Sequence, residues 1–234
     1  MALKIFGTDP ETQPKPRQSF ADDVVGRFRA GYVLDGRPAT VNEWLVTTGD
    51  PDVADVIFDL FGGEAPEKYE TKGEDNLRVF TASTEIEVVI GGPKDLRQKM
   101  VMFNRAGKLV QSGDGETIDY PEDLKGQPDP DAELTFQERK KKGQDGFGPT
   151  PQTELYFRLA ADKDLGIFKF QSGSWGLAYD VAAEDLDGQL AAADGPVKAI
   201  LKLEPVSFIA KNGPRAGQTV SYTKSSITIT GPAE

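Results

Sequence analysis

Ser221-Tyr222-Thr223-Lys224 sets a hydroxyl and an amine three positions apart, the spacing at which penicillin-recognising enzymes use a lysine to activate a serine nucleophile. That chemistry needs the pair to open a helix and needs companion motifs. Here the four residues stand in a β-rich run with no companion motif, so they read as part of a strand. The pairs Asp129/Asp131 and Asp50/Asp52 could offer oxygens to a hard cation. Neither is followed by the glycine and distal glutamate of a calcium loop, and aspartate beside proline is ordinary turn and cap chemistry. The chain has no histidine and no cysteine, which removes the usual general base near neutral pH, the thiol nucleophile and the softer zinc ligands. No Walker loop and no Rossmann fingerprint occurs. The expectation is a protein that is not an enzyme and needs no metal or cofactor, a binder whose chemistry is recognition.

Charge narrows what it binds. Asp and Glu outnumber Lys and Arg by 38 to 27, a formal net charge of −11, whereas duplex DNA affinity comes largely from cations that neutralise phosphates. Little direct DNA binding is expected. The longest basic run, Arg139-Lys140-Lys141-Lys142, reads as a solvated helix face. Phe157, Phe168, Phe170 and Trp175, interleaved with Arg158 and Lys169, could stack on single-stranded bases if they lined an open sheet. Core packing is the preferred reading of period-two spacing in strands, and a phage single-stranded DNA-binding or replication accessory protein stands as the alternative. No apolar run approaches the roughly 20 residues that span a bilayer, and no secretory signal is evident. A cytoplasmic location without a membrane role is expected.

The elements that must position these residues follow from local pattern. Residues 1–19, with Pro10, Pro14 and Pro16, read as an extended arm, and residues 20–234 as one domain, or two lobes divided around residues 112–151. Trp44, Val46 and Thr48 alternate as a strand. Asp50 then caps a helix with Pro51 at its first position, Val53, Val56, Ile57, Leu60 and Phe61 at helical period, and Gly62-Gly63 as its stop. Strands are predicted over 77–81 and 86–90, and a hairpin joins 100–103 to 108–111. The glycine- and proline-rich stretch 112–151 is a long surface excursion, and Thr135 with Glu138 forms a capping box for a short helix over 136–140. Strands return at 154–159 and 166–170. One helix, or two short ones around Gly188, follows Ser174-Trp175, and the final third is β: 197–203, 206–210, a turn-rich link, 220–222 and 227–229. The order predicts an α+β fold, mainly antiparallel sheet with two principal helices.

Several stretches carry a resemblance: Gly26-Arg27-Phe28-Arg29-Ala30-Gly31-Tyr32, residues 44–51, Gly73-Glu74-Asp75-Asn76-Leu77, residues 136–140, Leu165-Gly166-Ile167-Phe168-Lys169-Phe170, and residues 206–217. Together and in this order the chain resembles the recombination directionality factors of Streptomyces temperate phages. The resemblance implies an accessory protein that binds a large serine integrase seated on attachment-site DNA, through its coiled-coil region, and switches it from integration to prophage excision. The strand-cutting serine then belongs to the integrase. Contact residues are chosen on exposure and chemistry. Lys211, Asn212, Arg215 and Tyr222 in the turn-rich hairpin form one candidate partner surface, with a plain structural hairpin as the alternative. Phe136, Arg139 and Lys140 on the short helix form the second.

Overall fold

The computed structural model describes residues 24–34, 37–211 and 216–233. The proposed arm over 1–19 lies outside them, as do Asn212 and Arg215. Twelve strands join in one hydrogen-bonded network: β1 (Gly26–Leu34), β2 (Arg37–Thr48), β3 (Glu67–Lys68), β4 (Leu77–Phe80), β5 (Glu85–Ile90), β6 (Leu96–Phe103), β7 (Leu109–Gly113), β8 (Ile118–Tyr120), β9 (Thr150–Leu159), β10 (Phe168–Ser172), β11 (Val197–Ile209) and β12 (Thr219–Pro232). The path runs β12-β11-β5-β9-β10-β1-β2-β4-β3, with β6 on β9 and then β7 and β8 off to the side. Only β1 with β10 is parallel among the described pairs. The helices are α1 (Pro51–Phe61), α2 (Phe136–Gln144), α3 (Trp175–Ala183) and α4 (Leu186–Ala192). This is an α+β fold dominated by antiparallel sheet, as the pattern predicts.

Local chemistry fixes the helix ends. The Asp50 carboxylate accepts from the Asp52 N–H at 2.9 Å, Pro51 opens α1, and Gly62 closes it. Thr135 and Glu138 form the reciprocal capping box of α2, which runs past 140 to Gln144. The second helical region is two helices, and the break falls at Glu184-Asp185, ahead of Gly188. There Asp185 takes a left-handed φ of 50° and caps α4 through the Gly188 N–H.

The core gathers one face of the sheet and the inner faces of α1, α3 and α4. Phe28 stands at its centre, with Trp44, Phe157 and Phe168 at ring distances of 5.9, 5.4 and 5.5 Å in edge-on contact. Val53, Ala54 and Ile57 of α1, Leu177 and Val181 of α3, and Leu186 and Leu190 of α4 are buried in the same cluster. Burying side chains of this size stabilises the fold by roughly 1.5–3 kcal/mol each.

Residues 112–151 are folded onto the body. Asp129 accepts from the Asp131 N–H at 2.7 Å and from Gln111 at 3.2 Å, while Asp131 pairs with Lys142. Both carboxylates are buried, so the turn chemistry read from the sequence also anchors the excursion. Among the described residues, no helix is long and apolar enough to cross a membrane.

Candidate functional site

β11 and β12 pair along their whole length, from Val197↔Pro232 to Ile209↔Thr219, whereas β5 accompanies β11 only as far as Lys202. Beyond Leu203, whose N–H makes the last bond on that side to the Thr84 carbonyl at 2.8 Å, the hairpin continues as a two-stranded ribbon. The two faces of this ribbon differ in character. Residues opposite one another share a face, and so do residues two apart. One face continues the core, through buried Leu201, Leu203, Ser225 and Ile227. Its outer part is pinned where the Thr223 hydroxyl donates to the Val41 carbonyl of β2 at 2.8 Å.

The other face carries Val206 opposite Tyr222 and Phe208 opposite Val220. The rings of Phe208 and Tyr222 meet edge-on at 6.4 Å, yet the side chains remain 48% and 45% exposed. Toward the body, the same face bears Glu204 and Lys224, and Lys202 bonds both Glu85 and Glu204 at 2.8 and 3.0 Å. Lys224 reaches α3, donating to Asp180 at 2.8 Å. That hydrogen bond is the chief cause holding the Lys224 pKa above its ordinary value; burial opposes it, and the charges of Asp180 and Glu204 add to it.

Next to Asp180, Tyr179 opens a second group of rings. Phe136, at the start of α2, lies 5.7 Å from Trp175 and 5.8 Å from Tyr179. Gly143 permits this packing, because a Cβ there would stand 2.9 Å from the Pro149 carbonyl oxygen and 3.2 Å from the Trp175 ring. Lys140 sits over the Phe136 ring at 5.9 Å. Tyr179 is 58% exposed and Phe136 40%. Asp180 follows Tyr179 in α3 and holds Lys224, two residues from Tyr222 on one ribbon face. The two surfaces read separately from the sequence are therefore linked through α3 and the Lys224–Asp180 bond.

Individual residues fall as follows. Tyr222 is on the exposed ribbon face, and Lys211 is exposed at the ribbon's end. Phe136 and Lys140 are in the ring cluster. Arg139 is turned to structure: it donates to the Ala132 and Leu134 carbonyls at 2.9 and 3.3 Å. The basic run is only partly a solvated face, since Lys142 is committed to Asp131 and Lys140 to a ring. Sequence reading omitted Phe208, Trp175 as a partner of Phe136, Tyr179 and Asp180. Alternation across 206–210 and 219–222 was the signal for Phe208; nothing local marks the others.

The serine–lysine spacing comes apart on the strand, because residues three apart face opposite ways. Ser221 meets the Ser207 hydroxyl at 3.1 Å while Lys224 bonds Asp180. Phe157, Phe168 and Phe170 are 2%, 0% and 0% exposed, so no base can stack on them. Lys169 is buried against Glu154 at 2.9 Å. Among the described residues, no group of three potential ligands is placed to hold a metal ion.

The fold and surface define an α+β protein that extends a two-stranded ribbon beside an exposed cluster of aromatic rings. The model of the Gp3-like family, described as recombination directionality factor-like, matches residues 25–227, and the chain belongs to that family. Its role is accessory to recombination. No solved structure matches the chain.

Proposed function

We propose that this protein binds a DNA-bound large serine integrase and switches it from integration to recombination of the two prophage-end sites. Family membership supports the recombination role. The observation that carries the protein-contact reading is the joining of Phe208 and Tyr222 to Tyr179 and Phe136 across the Lys224–Asp180 pair. Exposed aromatic side chains are the composition of an interface centre, where a few residues hold most of the binding energy, and the lysines around them suit its polar rim. On this reading the protein makes and breaks no bonds, and its partner supplies the nucleophile.

Direction is reversed by differential binding. Integrase dimers on different sites direct their coiled-coil arms differently, and the factor stabilises the arrangement that pairs the prophage-end sites. Moving a preference from 1:99 to 99:1 requires about 5.5 kcal/mol of difference in affinity between the two arrangements. Equal affinity for both shifts nothing, however tight.

The test is a plasmid assay that scores both recombination directions with a cognate serine integrase, alone and with this protein. Addition should raise prophage-end recombination and suppress the integrative reaction. Phe208→Ser with Tyr222→Ser should abolish both effects and the integrase pull-down. An unchanged direction ratio with the wild-type protein would sink the reading.

A further inference from the structure

At the foot of the ribbon, beside the Val41 carbonyl that Thr223 engages, a cleft of about 640 Å³ opens between β1, β2 and β4. Tyr32 and Phe80, whose rings meet edge-on at 5.5 Å, are among its lining residues. Glu43, Glu64 and Glu67 supply three carboxylates against the single cation of Arg78. Glu67 is paired with Arg78 at 2.6 Å, whereas Glu43 and Glu64 are exposed and have no ion pair among the described residues. The cleft already shows how it treats a guanidinium. Arg78 lies over the Phe80 ring at 5.1 Å and the Tyr69 ring at 5.5 Å, with Glu67 at its nitrogen.

We propose that this cleft receives an arginine side chain of the recombinase, a placement that rests on the reading above and gives it a second anchor. The argument is charge complementarity in a shaped, ring-lined space. The sign of the carboxylates excludes phosphate. A metal ion is disfavoured because these carboxylates are not gathered closely enough to ligate one. A planar cation that stacks on a ring while its edge meets a carboxylate satisfies both features, and guanidinium does this better than ammonium. Val41 belongs both to the cleft wall and to the ribbon's attachment, so the cleft opens at the ribbon's foot, on the face opposite Phe208 and Tyr222.

The probe is acetyl-Gly-Arg-Gly-amide, with its citrulline counterpart as the uncharged isostere, titrated into the full-length protein and followed by NMR at the Tyr32 and Phe80 ring resonances. Saturable shifts are expected with the arginine peptide and none with citrulline. Glu43→Gln with Glu64→Gln, both on exposed side chains, should weaken the arginine response at least tenfold at unchanged melting temperature. Equal responses to the two peptides, or an unaltered response in the double variant, would overturn the cleft assignment. A pull-down separates the two readings: if Phe208→Ser with Tyr222→Ser abolishes integrase capture while the cleft variant captures normally, the ribbon reading stands and the cleft proposal falls. Tenfold faster release of the cleft variant from integrase supports it.

Discussion

Lys224 of β12 donates to Asp180 of α3 across 2.8 Å, and this bond fixes the ribbon's exposed face relative to the ring cluster on α2 and α3. The two side chains are 38% and 27% exposed, so the pair's own contribution to stability is discounted by solvent. Asp180→Asn is expected to cost at most about 1 kcal/mol in denaturant unfolding. Its effect on integrase capture should exceed that, because the ribbon loses its tether to α3 and is left held at the Thr223–Val41 bond. A double-mutant cycle with Lys224→Met, reading both unfolding and capture, checks whether coupling is larger in binding.

Removing rings from the surface should separate binding from folding. Phe208 and Tyr222 touch each other outside the core. Each change to alanine should shift the unfolding midpoint little, yet weaken integrase binding by about 2 kcal/mol, near thirtyfold. Trp44 is the internal control. It is fully buried, meets Phe28 and Phe170, and donates to the Thr84 carbonyl at 3.1 Å. Trp44→Ala should cost about 3–5 kcal/mol and lower soluble yield.

These residues differ in how far the sequence discloses them. The caps of α1 and α2 are legible because Asp50-Pro51 and Thr135/Glu138 act over one helical turn. The buried period-two rings are legible as strands. The ribbon's continuity is not, because Glu204-Pro205 reads as a break in β11. Past Leu203 that strand has lost its neighbour on the β5 side, so a proline there removes no bond from that ladder. Nor is the link from Phe136 and Tyr179, through the Asp180–Lys224 bond, to the strand that carries Tyr222 legible. It depends on α3 reaching edge strand β12, a product of strand order with no local signature. Asp129 and Asp131 are read correctly as turn formers, while their burial comes from the excursion folding back.

Gly143 should report on the spacing of α2 and α3. Alanine favours a helix over glycine by about 1 kcal/mol, but here its methyl would press on the Pro149 carbonyl and the Trp175 ring. Overpacking costs about 1–3 kcal/mol, so Gly143→Ala is expected to be neutral or destabilising by up to about 2. The more telling signal is optical. Trp175 fluorescence should change as α2 moves away, and integrase capture should weaken with it. Unchanged emission would mean that the contact with Phe136 survives by another route.

The raised pKa of Lys224 gives a pH test with a definite sign. A lysine whose folded value exceeds its unfolded value of 10.5 contributes stability that is complete below 10.5 and is lost as pH rises through the higher folded value. Integrase capture should therefore show no Lys224-dependent change between pH 7 and about pH 10. Above that range, wild-type protein should converge on Asp180→Asn, which lacks the pair at every pH. Glu138 runs the other way. Its carboxylate is held below its ordinary value of 4.5 by the Thr135 hydroxyl and then the Thr135 N–H. Its contribution to the α2 cap is present above 4.5 and disappears as pH falls through the lowered value. Acid should thus fray α2 and loosen Phe136 from Trp175, visible in tryptophan emission, while leaving the lysine pair intact as far as Lys224 is concerned. A Glu138→Gln variant, which cannot titrate, should lack this transition; its persistence would place the acid-sensitive group elsewhere.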